Sequence, residues 1–270
     1  MNILPYKNSK IAWYRFGNGE QKVVCFHGYG ETAESFAFLE KHGLGKFSFY
    51  AIDLPFHGHT EWNERLSFTE NDLAAIVNTI LKGERNWSLI GFSLGGRVAL
   101  SLYQAIPESI RTLVFLAPDG LKENFWYKLA TGTSGGNRFF RFTMKHPSWF
   151  FGMLKGLSKL KLVNRSIFKF VNNYISDEKV RGDLYARWTS LRKLKPDISR
   201  IRSLISENKT PVTLIYGKHD RIILHSVGEK FKKGIEEYCE VKVIQAGHQV
   251  MQEKYAGEII LSLKRQNQIG

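Results

Sequence analysis

The sequence predicts an α/β fold, a mostly parallel sheet flanked by helices and broken by one helical insertion. Three observations carry that reading. Short β-rich runs alternate with helix-patterned stretches in both outer parts of the chain. Two of those runs are continuously apolar, as strands buried on both faces must be. The alternation then stops between residues 122 and 209.

In chain order, strands are expected at 10–16, 23–27, 47–53, 87–92, 112–117, 211–216 and 241–245. The runs Val23-Val-Cys-Phe26 and Leu113-Val-Phe-Leu116 are the fully apolar ones. Helices are expected at 32–41, 69–82, 94–105, 225–237 and 250–265. In the second of these, Leu73, Ile76, Val77, Ile80 and Leu81 recur at helical spacing and form one stripe. The division expected is a core of residues 1–121 and 210–270 with a helical cap of 122–209 inserted over the sheet's carboxyl edge. Within the cap, Phe150, Leu154 and Leu157 follow helical spacing, as do Ile167, Phe170, Val171 and Tyr174. Thr131-Gly-Thr-Ser-Gly-Gly136 reads as a flexible loop.

Composition narrows the function. The chain has 270 residues and a net charge of +14. Residues 122–209 hold 19 Lys and Arg against 6 Asp and Glu, so nearly all the excess charge lies in the insertion. Such a segment is either a solvated basic surface or an attractor of an anionic substrate, an acidic carrier protein or an anionic membrane surface. No nucleic-acid-binding motif accompanies the charge, so nucleic acid is not expected as a partner. The two cysteines, Cys25 and Cys239, cannot make a disulfide framework, and Cys25 falls inside an apolar strand. The opening residues lack a signal-peptide pattern and no stretch approaches the length of a membrane span, so a cytoplasmic location is expected. Neither a metal-ligand spacing nor a phosphate-cradling glycine loop occurs, so no cofactor is expected.

The chemistry centres on Gly91-Phe-Ser-Leu-Gly95, placed between a strand and a helix and followed by Gly96. A serine on such a turn has its hydroxyl lifted clear of the sheet, and glycines on either side let strand and helix pass closely. Ser93 is therefore the candidate nucleophile. A serine hydroxyl needs an adjacent base oriented by an acid. His248, in Gln245-Ala-Gly-His-Gln249 between the last strand and last helix, is the expected base. Asp220, just past the strand at 211–216, is the expected acid, with Asp119 past the strand at 112–117 as its rival. Two backbone donors would serve an oxyanion: the amide of Leu94, next to the nucleophile, and that of Tyr29 in His27-Gly-Tyr-Gly30. His27 itself is expected to brace this loop.

The order His27-Gly, Asp53-Leu-Pro-Phe-His-Gly-His-Thr60, Gly91-Phe-Ser-Leu-Gly95, Asp220 and His248 resembles the α/β-hydrolase superfamily, in its serine-nucleophile branch with a helical cap. The resemblance spans the chain apart from the insertion and implies the α/β-hydrolase fold. One departure is Phe56, where relatives often have glycine. The implied activity is hydrolysis of a carboxylic ester or thioester by a Ser-His-Asp triad. Two alternatives stand beside it. Arg97 is similar to the elbow of the superfamily's menaquinone-pathway lyases, which together with carbon–carbon bond hydrolases use the same triad; the other reading of Arg97 is a pairing with a carboxylate. A membrane-surface lipase-like enzyme or a non-catalytic ligand-binding protein is the second.

Overall fold

Eight strands make one sheet in the order β1-β2-β4-β3-β5-β6-β7-β8. They are β1 (Asn2–Tyr6), β2 (Ser9–Phe16), β3 (Gln21–Phe26), β4 (Phe47–Ile52), β5 (Trp87–Phe92), β6 (Ile110–Leu116), β7 (Val212–Gly217) and β8 (Cys239–Ile244). A computed structural model describes residues 1–122, 125–159 and 176–265 of the chain. From β4 onward every neighbouring pair is parallel, whereas β1 and β2 run antiparallel to their neighbours. Every residue of β4, β5 and β7 is buried, which is why these strands lack polar alternation.

The seven expected strands form within a few residues of their expected bounds. β1 went unpredicted: it is a five-residue edge strand containing Pro5, and a proline argues against a strand except at an edge. The helix expected at 32–41 is instead a 3-10 turn, Ala33–Phe36, followed by the single-turn α1 (Leu39–His42). Helix α2 (Glu70–Ile80) buries Leu73, Ile76, Val77 and Ile80 as its stripe requires. Its amino end is a capping box: Asp72 N donates to Thr69 Oγ1 at 3.2 Å, and Thr69 N donates to Asp72 Oδ2 at 3.0 Å. Tyr6 OH (2.8 Å) and Lys7 Nζ (2.5 Å) also bind Asp72, tying the first hairpin to this helix. Burial pushes the Asp72 carboxyl up, but these donors outweigh it and hold it at about 2. Helix α3 (Leu94–Ala105) leaves β5 directly.

The chain divides into two compact units. The second consists of Arg65–Ser67 and residues 123–192. Its described helices are α4 (Phe125–Thr131), α5 (Ser134–Lys145), α6 (Ser148–Lys159) and α7 (Glu178–Ser190). Phe140 and Met144 form its core with Ala130, Phe150, Phe151, Leu184, Tyr185 and Trp188 around them. Tyr127 OH donates to Trp188 O at 3.1 Å, and Asn137 Nδ2 to Thr189 Oγ1 at 3.0 Å. The stretch 131–136, expected as a loop, is mostly helical. Thr133 Oγ1 accepts from Gly136 N at 3.0 Å, so Ser134-Gly-Gly136 becomes the capped first turn of α5. The helical spacing at Ile167, Phe170, Val171 and Tyr174 lies outside the described residues.

The insertion expected at 122–209 is shorter at its carboxyl end, because α8 (Ile198–Asn208) belongs to the sheet-bearing unit. Ile201, Leu204 and Ile205 are buried there, and Asp197 N donates to Gln104 Oε1 of α3 at 2.7 Å. The same unit ends with α9 (His225–Lys232) and α10 (Ala256–Leu263). Both cysteines are free and buried. Desolvation raises both thiols, Cys239 to about 12 and Cys25 well above its ordinary value.

Candidate active site

The chain leaves β3 for β4 on one side and later places β5 on the other, so the carboxyl ends of β3 and β5 flank a point where strand order reverses. Open α/β sheets present their binding crevices there. The loop after β3 carries Tyr29, and the turn after β5 carries Ser93.

Ser93 has φ 48° and ψ −114°, a conformation that costs a non-glycine residue on the order of 1–3 kcal/mol. The surroundings hold it. Ser93 N donates to Leu116 O at 2.9 Å, while Ser93 O accepts from Gly96 N at 2.8 Å and Asp119 N at 2.9 Å. The flanking glycines are needed for close approach: a Cβ on Gly91 would lie 2.6 Å from Gly95 O, and one on Gly95 would overlap Phe26 O. The structure thus stores strain under the serine and holds it with backbone hydrogen bonds from β6, the loop that follows it and the first turn of α3.

His248 stands with Nε2 3.0 Å from Ser93 Oγ and Nδ1 2.8 Å from Asp220 Oδ2. Asp220 is buried, and its other oxygen accepts from Ile222 N (2.7 Å) and Ile223 N (3.0 Å). Those amides fix the carboxylate and compensate its desolvation. The loops after β7 and β8 are laced together: Lys218 N donates to Ile244 O at 2.8 Å and His219 N to Ala246 O at 2.9 Å. An imidazole hydrogen-bonded on one side to a carboxylate can accept a proton from the hydroxyl on the other.

Leu94 is the first residue of α3, where an amide has no intrahelical acceptor and the helix dipole favours negative charge. The loop bearing Tyr29 is braced by His27, which is fully buried. Leu54 N donates to its Nε2 at 3.1 Å, so the ring proton sits on Nδ1 and is given to Gly28 O at 2.8 Å. Asp53 supports the adjacent segment by accepting from Ala33 N at 2.7 Å and His59 N at 2.9 Å. Phe56 has φ 63°, a left-handed conformation that favours glycine.

Asp119 does not approach the imidazole as Asp220 does. Its Oδ2 accepts from Arg97 Nη2 at 2.7 Å and its Oδ1 from Gly120 N at 2.8 Å. Arg97 is buried and spends this donor on a carboxylate of its own unit. One contact had no sequence signal. Glu31 accepts from Gly28 N at 3.3 Å through Oε2 and from Gln249 Nε2 at 2.8 Å through Oε1, linking the loops of Tyr29 and His248. Among the described residues, no group of three or more His, Cys, Asp or Glu side chains is arranged to hold a metal ion.

A family model for the alpha/beta hydrolase fold matches residues 22–255. The chain belongs to the alpha/beta hydrolase family. It is similar to the uncharacterized hydrolase YugF of Bacillus subtilis, at 26% identity over 242 residues, 87% of this chain and 86% of that protein. An esterase of Mycobacterium tuberculosis is 30% identical over 110 residues, 39% of this chain and 36% of its own length. Among solved structures, a carboxylesterase study of the archaeon Nitrososphaera gargenis gives a TM-score of 0.66 at 17% identity, covering 97% of this chain and 99% of that one. At that identity the likeness is one of fold. This alpha/beta hydrolase is an enzyme of the hydrolase class, and no helix among its described residues is long and apolar enough to cross a membrane.

Proposed function

We propose that this hydrolase cleaves a carboxylic ester or thioester through an acyl-enzyme. Ser93 Oγ attacks the acyl carbonyl while His248 Nε2 takes its proton, and Asp220 stabilises the imidazolium that results. The amides of Leu94 and Tyr29 receive the oxyanion. His248 then returns the proton to the leaving oxygen or sulfur. Water deacylates the serine with His248 again as base. The supporting observation is the unbroken relay from Ser93 Oγ through His248 to Asp220, with contacts of 3.0 and 2.8 Å. The ion pair of Arg97 with Asp119 supports the reading in which that guanidinium pairs with a carboxylate of its own unit.

The basic segment supports an acyl substrate with an anionic tail or a carrier-linked acyl group. Fluorophosphonate labelling and hydrolysis of p-nitrophenyl acetate test the chemistry. Both are expected in the native chain and absent in Ser93→Ala. Hydrolysis that survives in the variant overturns the mechanism, and so does a native chain that is neither labelled nor active. A panel of esters and thioesters, with and without a terminal carboxylate, then tests the substrate class.

A further inference from the structure

From residue 124 to 176 the chain has nine Lys and Arg and no Asp or Glu, where its average composition would put about five acids. The described part of this run has a consistent two-sided construction. Helix α5 turns Phe140, Thr143 and Met144 inward, and its outward face reads Arg138, Phe139, Arg141, Phe142, Lys145, all exposed. Phe139 is 58% exposed and Phe142 51%. On α6, the Trp149 ring lies against Phe139 with centroids 5.3 Å apart and planes tilted by 51°, and Met153, one turn further along, is 43% exposed. Large apolar side chains thus stand in solvent with cations between them. Helix α4 repeats the pattern on a smaller scale, with Phe125 and Leu129 exposed one turn apart around Lys128.

We propose that the outward face of α5 and α6 docks on an anionic lipid bilayer. Soluble monomers rarely leave several neighbouring aromatic and aliphatic side chains exposed without a use. Rings interleaved with basic side chains on a helix that is buried on its opposite face are the pattern of an element lying in the headgroup plane. There the rings enter the acyl boundary while Lys and Arg reach the phosphates. The missing acids matter as much as the cations present, because no carboxylate is brought against the negative surface. An acidic protein would meet the charge, but it would have to supply a cavity for each protruding ring. A fluid interface accommodates them as they stand.

The test is co-sedimentation of the full chain with vesicles of phosphatidylcholine alone and of phosphatidylcholine mixed with phosphatidylglycerol. Binding is expected to the mixed vesicles, and to fall in about 1 M salt, where charges are screened beyond about 3 Å. Arg138→Gln with Arg141→Gln is expected to lower partitioning on the order of tenfold or more. Phe139→Ser with Phe142→Ser is expected to weaken it in low and high salt alike. Circular dichroism establishes folding, and if the phenylalanine pair does not fold, the arginine pair decides. The proposal is overturned if the native chain stays in the supernatant at low salt, or if both variants sediment as it does. It is also overturned if poly-glutamate binds and mixed vesicles do not, which would make the partner an acidic polypeptide.

Discussion

Gly217, the last residue of β7, lies against the carbonyl of Gly247, so that any Cβ at 217 would overlap Gly247 O and sit 2.6 Å from Ala246 O. The residue that leads to Asp220 thereby touches the loop that carries His248. Both obstacles are backbone and cannot swing aside. Gly217→Ala is expected to cost about 1–3 kcal/mol by overpacking and to lower turnover beyond what that loss explains, by separating acid from base. Thermal melting and kcat on a short ester check it. Native values for both would mean the contact has slack.

The two candidate acids separate by substitution. Asp220→Asn preserves shape but presents an amide to His248 Nδ1, favouring the wrong tautomer, and a fall in kcat on the order of 10³–10⁴ is expected. Asp119→Asn should keep turnover within about tenfold while lowering stability by about 1–2 kcal/mol, because the buried Arg97 loses its charged partner. The reverse ranking in a kinetic comparison would return the role to Asp119.

Glu31 joins two loops without touching Ser93, His248 or Asp220 in any hydrogen bond of its own. Removing it with Glu31→Ala leaves the serine and its base in place but loosens the Tyr29 loop against them. A roughly tenfold loss in kcat is expected, with KM little changed, since small misplacements of donors act on the transition state. Steady-state kinetics on a short ester read this directly. A rise in KM with native kcat would assign Glu31 to substrate binding.

Acid stability should carry the signature of Asp72. Its carboxyl titrates at about 2 in the fold against 3.8 ordinarily, so its contribution is complete above about pH 4 and is lost as pH falls through about 2. Allowing for the half-exposed Lys7, the contribution is about 1–2 kcal/mol. Asp72→Asn should cost that much at neutral pH and flatten the decline between pH 4 and 2. Urea midpoints at several pH values provide the measurement, and parallel curves for the two proteins would refute it.

Strands were legible wherever burial on both faces made the sequence continuously apolar, as in β3 and β6. The edge strand β1 was not, since exposure leaves it no such pattern and Pro5 speaks against it. The serine turn could be read because its glycines answer a local steric need. The pairing of His248 with Asp220, with Asp119 as the rival acid, was read from loop position after the strands, and it is Asp220 that lies 2.8 Å from the imidazole. The end of the insertion was misread for a physical reason: α8 has the same 3.6-residue periodicity as the helices before it, and only the face it buries assigns it to the sheet. Glu31 and Gln249 are 218 positions apart and carry no pattern linking them.

The two thiols form an internal clock for unfolding. Alkylating reagents need a thiolate in contact with solvent, and Cys25 in a central strand and Cys239 at the start of the edge strand β8 offer neither while the sheet is intact. Modification of Cys239 therefore times the peeling of that edge, and modification of Cys25 times the opening of the whole sheet. Chains in which Cys25 is still unmodified after a long incubation with iodoacetamide are those whose sheet never opened.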